Sequence, residues 1–325
     1  MPIKPARRKP LVYPKNQIEF EECFSTEKKC LAFLMKAKWP EGFRCAKCGK
    51  GKHWLKTRAR VVCAACRVET SVLAGTLFTN SKKPLRIWLH ALWWITSQKN
   101  GISAVGFKNI MGIGSYRTAW SWLHKLRRAM ALREKTRLNG SVEVDETFIG
   151  GVRSGKRGRG AAGKVLIAVA AEAEGTATGR IRLAIIKDAT TRALGSFIRE
   201  NVDKGSTVIT DGWESYNAIT TIGYAHQVAD DVKNPVPRAH KAMSLLKRWL
   251  LGTHQGRIEG KYLQRYLDEF VFRFNRRTSS DRGKLFESLL ALGIAGSGES
   301  TGAIIREANS VSEPELFPVG KSAFS

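Results

Sequence analysis

Apolar and polar residues alternate along residues 141–151, and this period of two predicts a β-strand. The apolar members are Val142, Val144 and Phe148. Asp145 and Glu146 fall inside the predicted strand, although acidic residues are depleted in strands. A strand carboxylate costs stability unless a partner compensates it, and a metal ion is one such partner. The pattern therefore predicts a strand that carries a functional carboxylate.

A second apolar stretch ends in an aspartate. Residues 207–210 predict a short strand, followed by Asp211 and Gly212. Taken singly, Asp145 also fits a surface strand position, and Asp211 an ordinary turn before a glycine. Two carboxylates at two strand positions in a strongly basic chain instead favour a divalent-metal site that acts on nucleic acid.

The order of the predicted elements indicates the fold class. Besides these two strands, the pattern predicts strands at 165–171, 180–187 and 225–228 and a helix at 191–201. Three strands led by an acidic one, then a helix and a strand ending in an aspartate, match the ribonuclease H-like core. We therefore expect an α/β domain, a mixed five-stranded sheet with helices on both faces. In that fold the first and fourth strands are parallel neighbours, which would bring the two aspartates together.

Helical periodicity covers much of the remaining chain. Residues 25–38 predict a short amphipathic helix, and 239–251 and 260–276 predict two helices after the last strand. Residues 84–133 predict three helices, with a glycine-containing turn before a basic third helix, which is the helix-turn-helix pattern. Its predicted DNA contacts are Arg117, His124, Lys125, Arg127 and Arg128. A solvated basic face is the alternative interpretation of these cations.

The charge of the chain indicates its partner. The 325 residues include 55 Lys and Arg against 28 Asp and Glu, a net charge of +27. Nucleic acid is the expected partner, because phosphate neutralisation suits such a field, and an anionic membrane surface is the rival. No apolar run approaches the roughly 20 residues that span a bilayer, and the N-terminus does not resemble a signal peptide. We expect a soluble, cytoplasmic protein associated with the nucleoid.

Four of the six cysteines form two pairs, Cys45-x-x-Cys48 and Cys63-x-x-Cys66. In a cytosolic chain two such pairs predict a four-sulfur zinc site of the zinc-ribbon type, whereas a single pair would also fit a redox centre. Basic residues surround the ribbon and favour a surface that faces DNA. They are Lys47, Lys50, Lys52, Lys56, Arg58 and Arg60. Cys23 and Cys30 lie outside the pattern, and we expect both to be reduced thiols.

These patterns divide the chain into five parts. A basic arm with a short helix, residues 1–40, precedes a zinc ribbon at 41–80 and a helix-turn-helix region at 81–135. The ribonuclease H-like domain follows at 138–292, and residues 293–325 predict a loosely ordered tail. Inside the catalytic domain, the glycine-rich basic loop at 153–164 suits contacts to DNA phosphates.

Three motifs resemble those of a known family. They are Val-Asp-Glu-Thr-Phe-Ile-Gly-Gly around Asp145, Thr-Asp-Gly-Trp-Glu-Ser-Tyr around Asp211, and Leu-Lys-Arg-Trp-Leu-Leu-Gly-Thr-His followed by Tyr-Leu-Asp-Glu-Phe-Val-Phe-Arg-Phe-Asn-Arg-Arg. The chain, over about residues 20–290, resembles bacterial insertion-sequence transposases of the DDE superfamily, in the subgroup with an N-terminal zinc ribbon. The resemblance implies binding of the terminal inverted repeats and of target DNA by a homo-oligomer. It also implies cleavage and strand transfer with two Mg²⁺ or Mn²⁺ ions.

The family pattern needs a third metal ligand, and here the matching position is His240. Some relatives carry Glu there, and imidazole suits Mn²⁺ better than Mg²⁺. A capping or partly buried histidine is the alternative interpretation. Beyond it on the same helix, Lys247 and Arg248 are candidates for phosphate contacts. The acids that could substitute for His240 are Glu259, Asp268 and Glu269. Glu143 has the side-chain parity to assist Asp145, whereas Glu146 points to the opposite face.

Two other functions remain open at this level. The first is a DNA-binding regulator with a zinc ribbon, a helix-turn-helix and a catalytically inactive ribonuclease H-like domain. The second is a structure-selective nuclease of the same fold, which would cut DNA without joining it. Metal-dependent cleavage and strand transfer on terminal-repeat DNA would separate them from a transposase.

Overall fold

The computed structural model describes residues 11–57, 59–131, 136–150, 164–231, 233–255, 258–296 and 300–310. Four predicted features therefore lie wholly or largely outside the described residues: most of the basic arm, Arg58, the basic loop from residue 153 to 163 and the end of the tail. The chain forms two compact units. The first comprises Met1–Gln98 and Ser279–Ser300, and the second comprises Lys99–Thr278 and Thr301–Ser325.

The helices and strands are numbered here in chain order. The helices are α1 Gln17–Cys23, α2 Glu27–Lys38, α3 Leu85–Ser97, α4 Ala104–Ile110, α5 Tyr116–Ala131, α6 Thr191–Asn201, α7 Pro237–His254, α8 Leu263–Phe274, α9 Arg282–Ala295 and α10 Thr301–Ser310. The strands are β1 His53–Lys56, β2 Arg60–Cys63, β3 Glu69–Ser71, β4 Ser141–Ile149, β5 Val165–Glu174, β6 Ala177–Ile186, β7 Thr207–Thr210 and β8 Ala225–Val228. Two 3₁₀ segments, Glu214–Ile222 and Gly260–Tyr262, complete the described elements.

The first unit joins a three-stranded antiparallel sheet, β1-β2-β3, to helices α1, α2, α3 and α9. Its core is aromatic: Phe20 of α1 stacks on Trp93 of α3 at a centroid distance of 5.0 Å and meets Phe286 of α9 at 5.8 Å. Helix α3 begins at a proline without a side-chain cap of its own. The Glu27 carboxylate of α2 caps it instead, accepting from the backbone N–H groups of Leu85 and Arg86.

The second unit contains the predicted mixed sheet. Five strands lie in the order β6-β5-β4-β7-β8; β4, β5 and β6 are antiparallel neighbours, whereas β4–β7 and β7–β8 are parallel. One face of the sheet buries Val142 and Val144 against the apolar side of α6. The other face buries residues such as Val169 against α7 and α8. This strand order confirms the predicted ribonuclease H-like class, in which helices cover both faces of the sheet.

Residues 301–310 differ from the loosely ordered tail predicted for 293–325. Helix α10 forms inside it, with Ile304 fully buried. The hydroxyls of Ser121 and Thr301 share a hydrogen bond of 2.8 Å, which ties α10 to α5. The Gly- and Ser-rich composition around this helix obscured it, because an isolated helix of this length is marginal and α10 packs against α5.

The predicted helix-turn-helix region divides between the two units, since α3 belongs to the first and α4 and α5 to the second. Helices α4 and α5 are joined by a turn in which Gly112 has φ +60°, a left-handed conformation that glycine adopts without strain. The Ser115 hydroxyl accepts a hydrogen bond from the Thr118 backbone at the start of α5. The role of this helix pair in DNA binding stays a prediction.

Two of the cations predicted to contact DNA are in the core, which corrects their assignment. His124 and Arg127 of α5 are 0% and 1% exposed. Arg127 donates to the Glu269 carboxylate of α8 at 2.8 Å, and its guanidinium lies 3.9 Å from the ring centroid of Tyr266. Helix α5 is buried on most of its circumference because it packs against α8, so helical spacing alone did not reveal which of its cations face solvent. Glu269, considered as a metal ligand, is likewise committed to this ion pair, and removing one partner of such a buried pair costs about 3–5 kcal/mol.

Within the part of the chain that the structure describes, no helix combines the length and the apolar character needed to cross a membrane.

Buried histidines make the second unit sensitive to acid. Burial, aided by the charge of Arg127, lowers the pKa of His254 from its ordinary value of 6.5 to about 4. The unfolded chain therefore binds this proton at a higher pH than the folded chain, and stability is lost as the pH falls from 6.5 towards about 4. Between about pH 7 and pH 5 this histidine should lower the free energy of unfolding by about 2 kcal/mol, and the replacement His254→Phe should remove that part of the pH dependence.

Equilibrium urea denaturation at the two pH values measures this difference. The exposed His53→Gln variant is the control, which should keep the pH dependence of the parent. Parallel stability curves for the parent and His254→Phe would show that this histidine does not contribute to acid sensitivity.

Candidate active site and zinc centre

Alternation along β4 places Glu143, Asp145 and Thr147 on one face of the sheet, towards helix α7. All three side chains contact that helix. The Glu143 carboxylate pairs with the Arg238 guanidinium at 2.7 Å, and Asp145 Oδ2 lies 3.2 Å from His240 Nε2. Further along, Lys247 Nζ donates to Thr147 Oγ1 at 2.7 Å. Three successive side chains on this face of β4 therefore each contact a different residue of α7, in the same order along the strand and the helix.

Glu143 fixes where α7 begins. The helix has a proline at its start and no side-chain cap from its own sequence. Glu143 supplies the cap from the sheet: its Oε2 accepts from the backbone N–H groups of Arg238 and Ala239 at 2.6 and 3.0 Å. Its side chain is 3% exposed. The side-chain parity of Glu143 predicts that it can assist Asp145, and its observed contacts are with the start of the helix that carries His240.

Asp211 follows strand β7, which runs parallel to β4 with Glu143 opposite Ile209. Continuing this register by two residues places Asp211 beside Asp145 on the same face of the sheet. Asp211 Oδ1 accepts from the Trp213 backbone at 3.0 Å across a tight turn. Gly212 in this turn has φ +86°, and a Cβ there would lie 2.9 Å from Val228 Cγ1, so the turn requires glycine.

Burial raises the pKa of Asp145 to about 6, while the Glu146 backbone N–H, which donates to Oδ1 at 2.8 Å, lowers it. The nearby carboxylates of Glu146 and Asp211 raise it further, and His240 opposes them. Neighbouring carboxylates that disfavour each other's charge fit a divalent cation, which would relieve that repulsion. Asp145 and Asp211 are thus suited to hold a hard metal ion.

His240 is oriented by a residue that sequence reasoning missed. Its Nδ1 lies 2.8 Å from the side-chain oxygen of Asn234, which precedes α7. Because an amide oxygen can only accept, Nδ1 donates to Asn234, and Nε2 is the ring nitrogen that faces Asp145. This is the orientation that a metal-ligating histidine requires. The signal in the sequence was an asparagine six residues before the histidine, in the loop that leads to its helix.

Tyr216 is a second residue that sequence reasoning missed. It is fully buried in the 3₁₀ segment after Asp211, and its hydroxyl donates to Glu146 Oε2 at 2.7 Å. Glu146 therefore lies on the sheet face opposite Asp145, as its parity predicted. The available signal was the position of Tyr216 within the Thr-Asp-Gly-Trp-Glu-Ser-Tyr motif.

The four predicted zinc ligands form the second candidate site. Cys45, Cys48, Cys63 and Cys66 bring their sulfur atoms within 4.8 Å of one another; elsewhere in the described ranges no other set of three or more Cys, His or acidic ligands is so close. The Cys45–Cys66 and Cys48–Cys63 sulfur distances are both 3.5 Å. A tetrahedral zinc site with Zn–S bonds of about 2.3 Å needs sulfur separations close to this value.

Backbone N–H groups lower the pKa of two of these thiols, Cys45 and Cys63, whereas burial and hydrogen bonds from the neighbouring thiols raise that of Cys48 to about 12. Backbone N–H groups of the second Cys-x-x-Cys turn, that of Cys66 first, lower the pKa of the Cys63 thiol to about 6. Thiolates are the species that bind zinc, so the geometry of the four sulfur atoms and the lowered pKa of the first cysteine in each turn fit the ion. The three metal ligands predicted for the candidate active site, Asp145, Asp211 and His240, are not as close together as the cysteines, although Asp145 and His240 are in direct contact.

The other predicted DNA contacts occupy different surroundings. Arg117, Lys247 and Arg248 are exposed, and Lys125 is half-buried. Arg128 is exposed and pairs with Glu307 of α10 at 2.9 Å. These five residues remain candidates for contact with a polyanion, whereas Arg127 does not.

Comparisons with known proteins agree with the site. The sequence model of the ISXO2-like transposase domain matches residues 137–275, and that of the transposase zinc-ribbon domain matches residues 25–69. No curated protein matches the chain. Among solved structures, the catalytic core domain of BIV integrase is similar, at 17% identity and a TM-score of 0.31, over 43% of this chain and 86% of that one. So low a TM-score supports no argument, and the fold assignment depends on the sheet topology.

A ribonuclease H-like sheet with one carboxylate within its central strand β4 and another directly after the parallel strand β7, matched by a transposase domain, defines a DDE transposase. The chain belongs to the insertion-sequence transposases of this superfamily that carry an N-terminal zinc ribbon. Membership implies divalent metal use at the DDE site.

The cysteine cluster predicts one zinc ion per chain. Metal analysis of the purified protein should give about one equivalent, because four thiolates at these distances complete a tetrahedral shell. The Cys45→Ser variant should lose most of its zinc and destabilise the ribbon. Cys23→Ser, which changes a thiol outside the cluster, is the control and should retain both. Full zinc content in Cys45→Ser would contradict the assignment.

Proposed function

We propose that this protein is the transposase of a bacterial insertion sequence, which binds the terminal inverted repeats of its element and catalyses DNA cleavage and strand transfer. The observation that carries the proposal is the alignment of β4 with α7. It places Asp145 against His240 and Thr147 against Lys247 on a sheet whose next parallel strand ends in Asp211. The protein would act in the cytoplasm, on the nucleoid.

Asp145, Asp211 and His240 are the proposed ligands of two divalent ions, Mg²⁺ or Mn²⁺. When bound, two such ions activate an attacking oxygen and stabilise the leaving oxygen in an in-line phosphoryl transfer. Asp145 lies between the other two ligands: it contacts His240 directly, and its register neighbour is Asp211. It is therefore suited to serve both ions.

The protein's other residues prepare the site. Asn234 fixes the His240 ring so that Nε2 faces the carboxylate, and Glu143 holds the start of the helix that carries this histidine. Tyr216 holds the Glu146 carboxylate on the far face of the sheet, which leaves Asp145 and Asp211 to face the substrate.

Cations beside the site provide contacts for the substrate. The Lys247 ammonium of α7 lies 2.7 Å from Thr147 Oγ1. Thr147 follows Asp145 by two residues on β4, so this ammonium lies beside the candidate metal site. With the exposed Arg248 it would bind the DNA phosphates next to the scissile bond. The zinc ribbon and the helix pair α4–α5, with Arg117, Lys125 and Arg128, would bind the terminal repeats and target DNA, with two or more chains assembling on DNA.

The first test concerns the two aspartates. Asp145→Asn and Asp211→Asn should each reduce cleavage of terminal-repeat DNA at least about 10³-fold, because an amide is a weak ligand for hard cations. Binding of the same DNA should be unchanged, since losing a negative charge does not weaken affinity for a polyanion. A gel assay for cleavage and strand transfer, paired with a binding titration, measures both.

Glu174→Gln is the matched control, since it removes one exposed carboxylate at the opposite end of the sheet, in the hairpin between β5 and β6. It should cut DNA as the parent does. Undiminished cleavage by either aspartate variant would refute the proposed metal site. DNA binding without cleavage by the parent, under every divalent ion supplied, would instead support the regulator.

A second test concerns His240. Because imidazole is a softer ligand than carboxylate, the parent should be more active with Mn²⁺ than with Mg²⁺. His240→Ala should lower activity with both ions, whereas His240→Glu should retain or raise the Mg²⁺-supported activity. Initial cleavage rates with each ion give the comparison. A His240→Ala protein as active as the parent would show that this histidine is structural.

A further inference from the structure

The two Cys-x-x-Cys turns of the zinc ribbon are built alike. In the first, the Gly49 N–H donates to the carbonyl of Cys45 at 2.8 Å, and in the second the Arg67 N–H donates to the carbonyl of Cys63 at 3.0 Å. The N–H of each first cysteine donates to the carbonyl of the residue two positions beyond the second cysteine, Lys50 or Val68, at 3.0 Å. Gly49 and Arg67 therefore occupy equivalent positions.

Both positions have left-handed backbones, with φ of +70° at Gly49 and +59° at Arg67. Glycine adopts this conformation freely, whereas a residue with a Cβ is strained in it. The first turn uses the relaxed residue, and the second turn keeps an arginine in its place. Strain that is retained at one of two equivalent positions points to a use for the side chain.

The Arg67 side chain lies on an exposed tryptophan. Its guanidinium carbon is 5.0 Å from the ring centroid of Trp54, a cation–π contact. Trp54 is 41% exposed and belongs to β1, an edge strand whose four residues are all exposed. Two more cations, Lys56 and Arg60, lie on the same face of the sheet, where both pair with Glu69.

We propose that Trp54 and Arg67 form a binding element for an unpaired base of DNA, with the indole stacked on the base and the guanidinium beside its phosphate. This rests on the proposed function, and it extends the substrate from duplex repeats to DNA with a single-stranded segment. The charge of the ribbon favours a polyanion such as DNA, since residues 41 to 71 include eight Lys and Arg against two Glu. The exposed indole of Trp54 favours single-stranded over duplex DNA, since a base can stack on a protein side chain only when its face is not covered by neighbouring bases of a duplex.

The experiment compares two DNAs of equal length and sequence, one fully duplex and one with a short single-stranded 3′ tail. Binding of the full-length, zinc-loaded protein is followed by fluorescence anisotropy with no other divalent ion added. The parent should bind the tailed DNA about tenfold more tightly than the duplex, the scale of one base–aromatic stack. Trp54→Ala and Arg67→Gly should each remove most of that preference, and Trp54→Phe should keep part of it.

Arg67→Gly also separates a binding role from a structural one. Because glycine relaxes the left-handed position, as at Gly49, this variant should retain zinc and melt at the same temperature as the parent or a higher one. Lys47→Ala, which removes an exposed cation from the first turn, is the control. It should weaken binding to both DNAs equally and leave the preference unchanged.

Three results would overturn the proposal: equal binding of the two DNAs by the parent, an unchanged preference in Arg67→Gly, or a loss in Trp54→Ala that is the same for both DNAs. The last would mark a general phosphate-binding surface. The measurement is independent of cleavage, and the Asp145→Asn protein should show the same preference as the parent. Failure here would therefore leave the proposed transposase activity standing, and failure of cleavage would leave this binding element standing.

Discussion

The candidate active site depends on one buried carboxylate that is not itself a proposed ligand. Glu143 caps helix α7 from the neighbouring strand and pairs with Arg238, so the start of the helix is fixed relative to β4. From that point the helical rise and the strand rise determine which side chains meet. His240 meets Asp145, and Lys247 meets Thr147. Truncation of Glu143 would leave helix N–H groups and a guanidinium without their acceptor, and the alignment of every residue beyond it would loosen.

Much of this architecture was accessible from the sequence, because the pattern is strong where the sheet is buried. The predicted helix at 191–201 and the strands at 207–210 and 225–228 have the observed bounds, and the strand order confirms the fold class. The zinc ribbon was accessible for a different reason: cysteine spacing records the ligand geometry directly in the sequence. The roles of Asp145, Asp211 and His240 were inferred from motifs, and they stay predictions until the cleavage experiments are done.

What the sequence did not reveal depends on contacts between distant segments. Arg127 looked like a DNA contact because its helix is basic, but its partner Glu269 lies 142 residues away. Asn234 and Tyr216 have no chemical signature of their own, and their importance appears only when His240 and Glu146 are placed beside them. In a basic protein the sequence does not show which cations of a helix face solvent, because one acidic partner such as Glu269 is enough to bury an arginine in the core.

The first unit is discontinuous, since its aromatic core joins Phe20 and Trp93 to Phe286, nearly two hundred residues later. During synthesis the ribosome must therefore release almost the entire chain before this core can close. The zinc ribbon and the five-stranded sheet have no such delay, because their pairing partners are complete well before Phe286 emerges. A polypeptide truncated before Phe286 would thus carry a paired ribbon and sheet beside an open aromatic surface, which would expose it to aggregation and to cellular proteases.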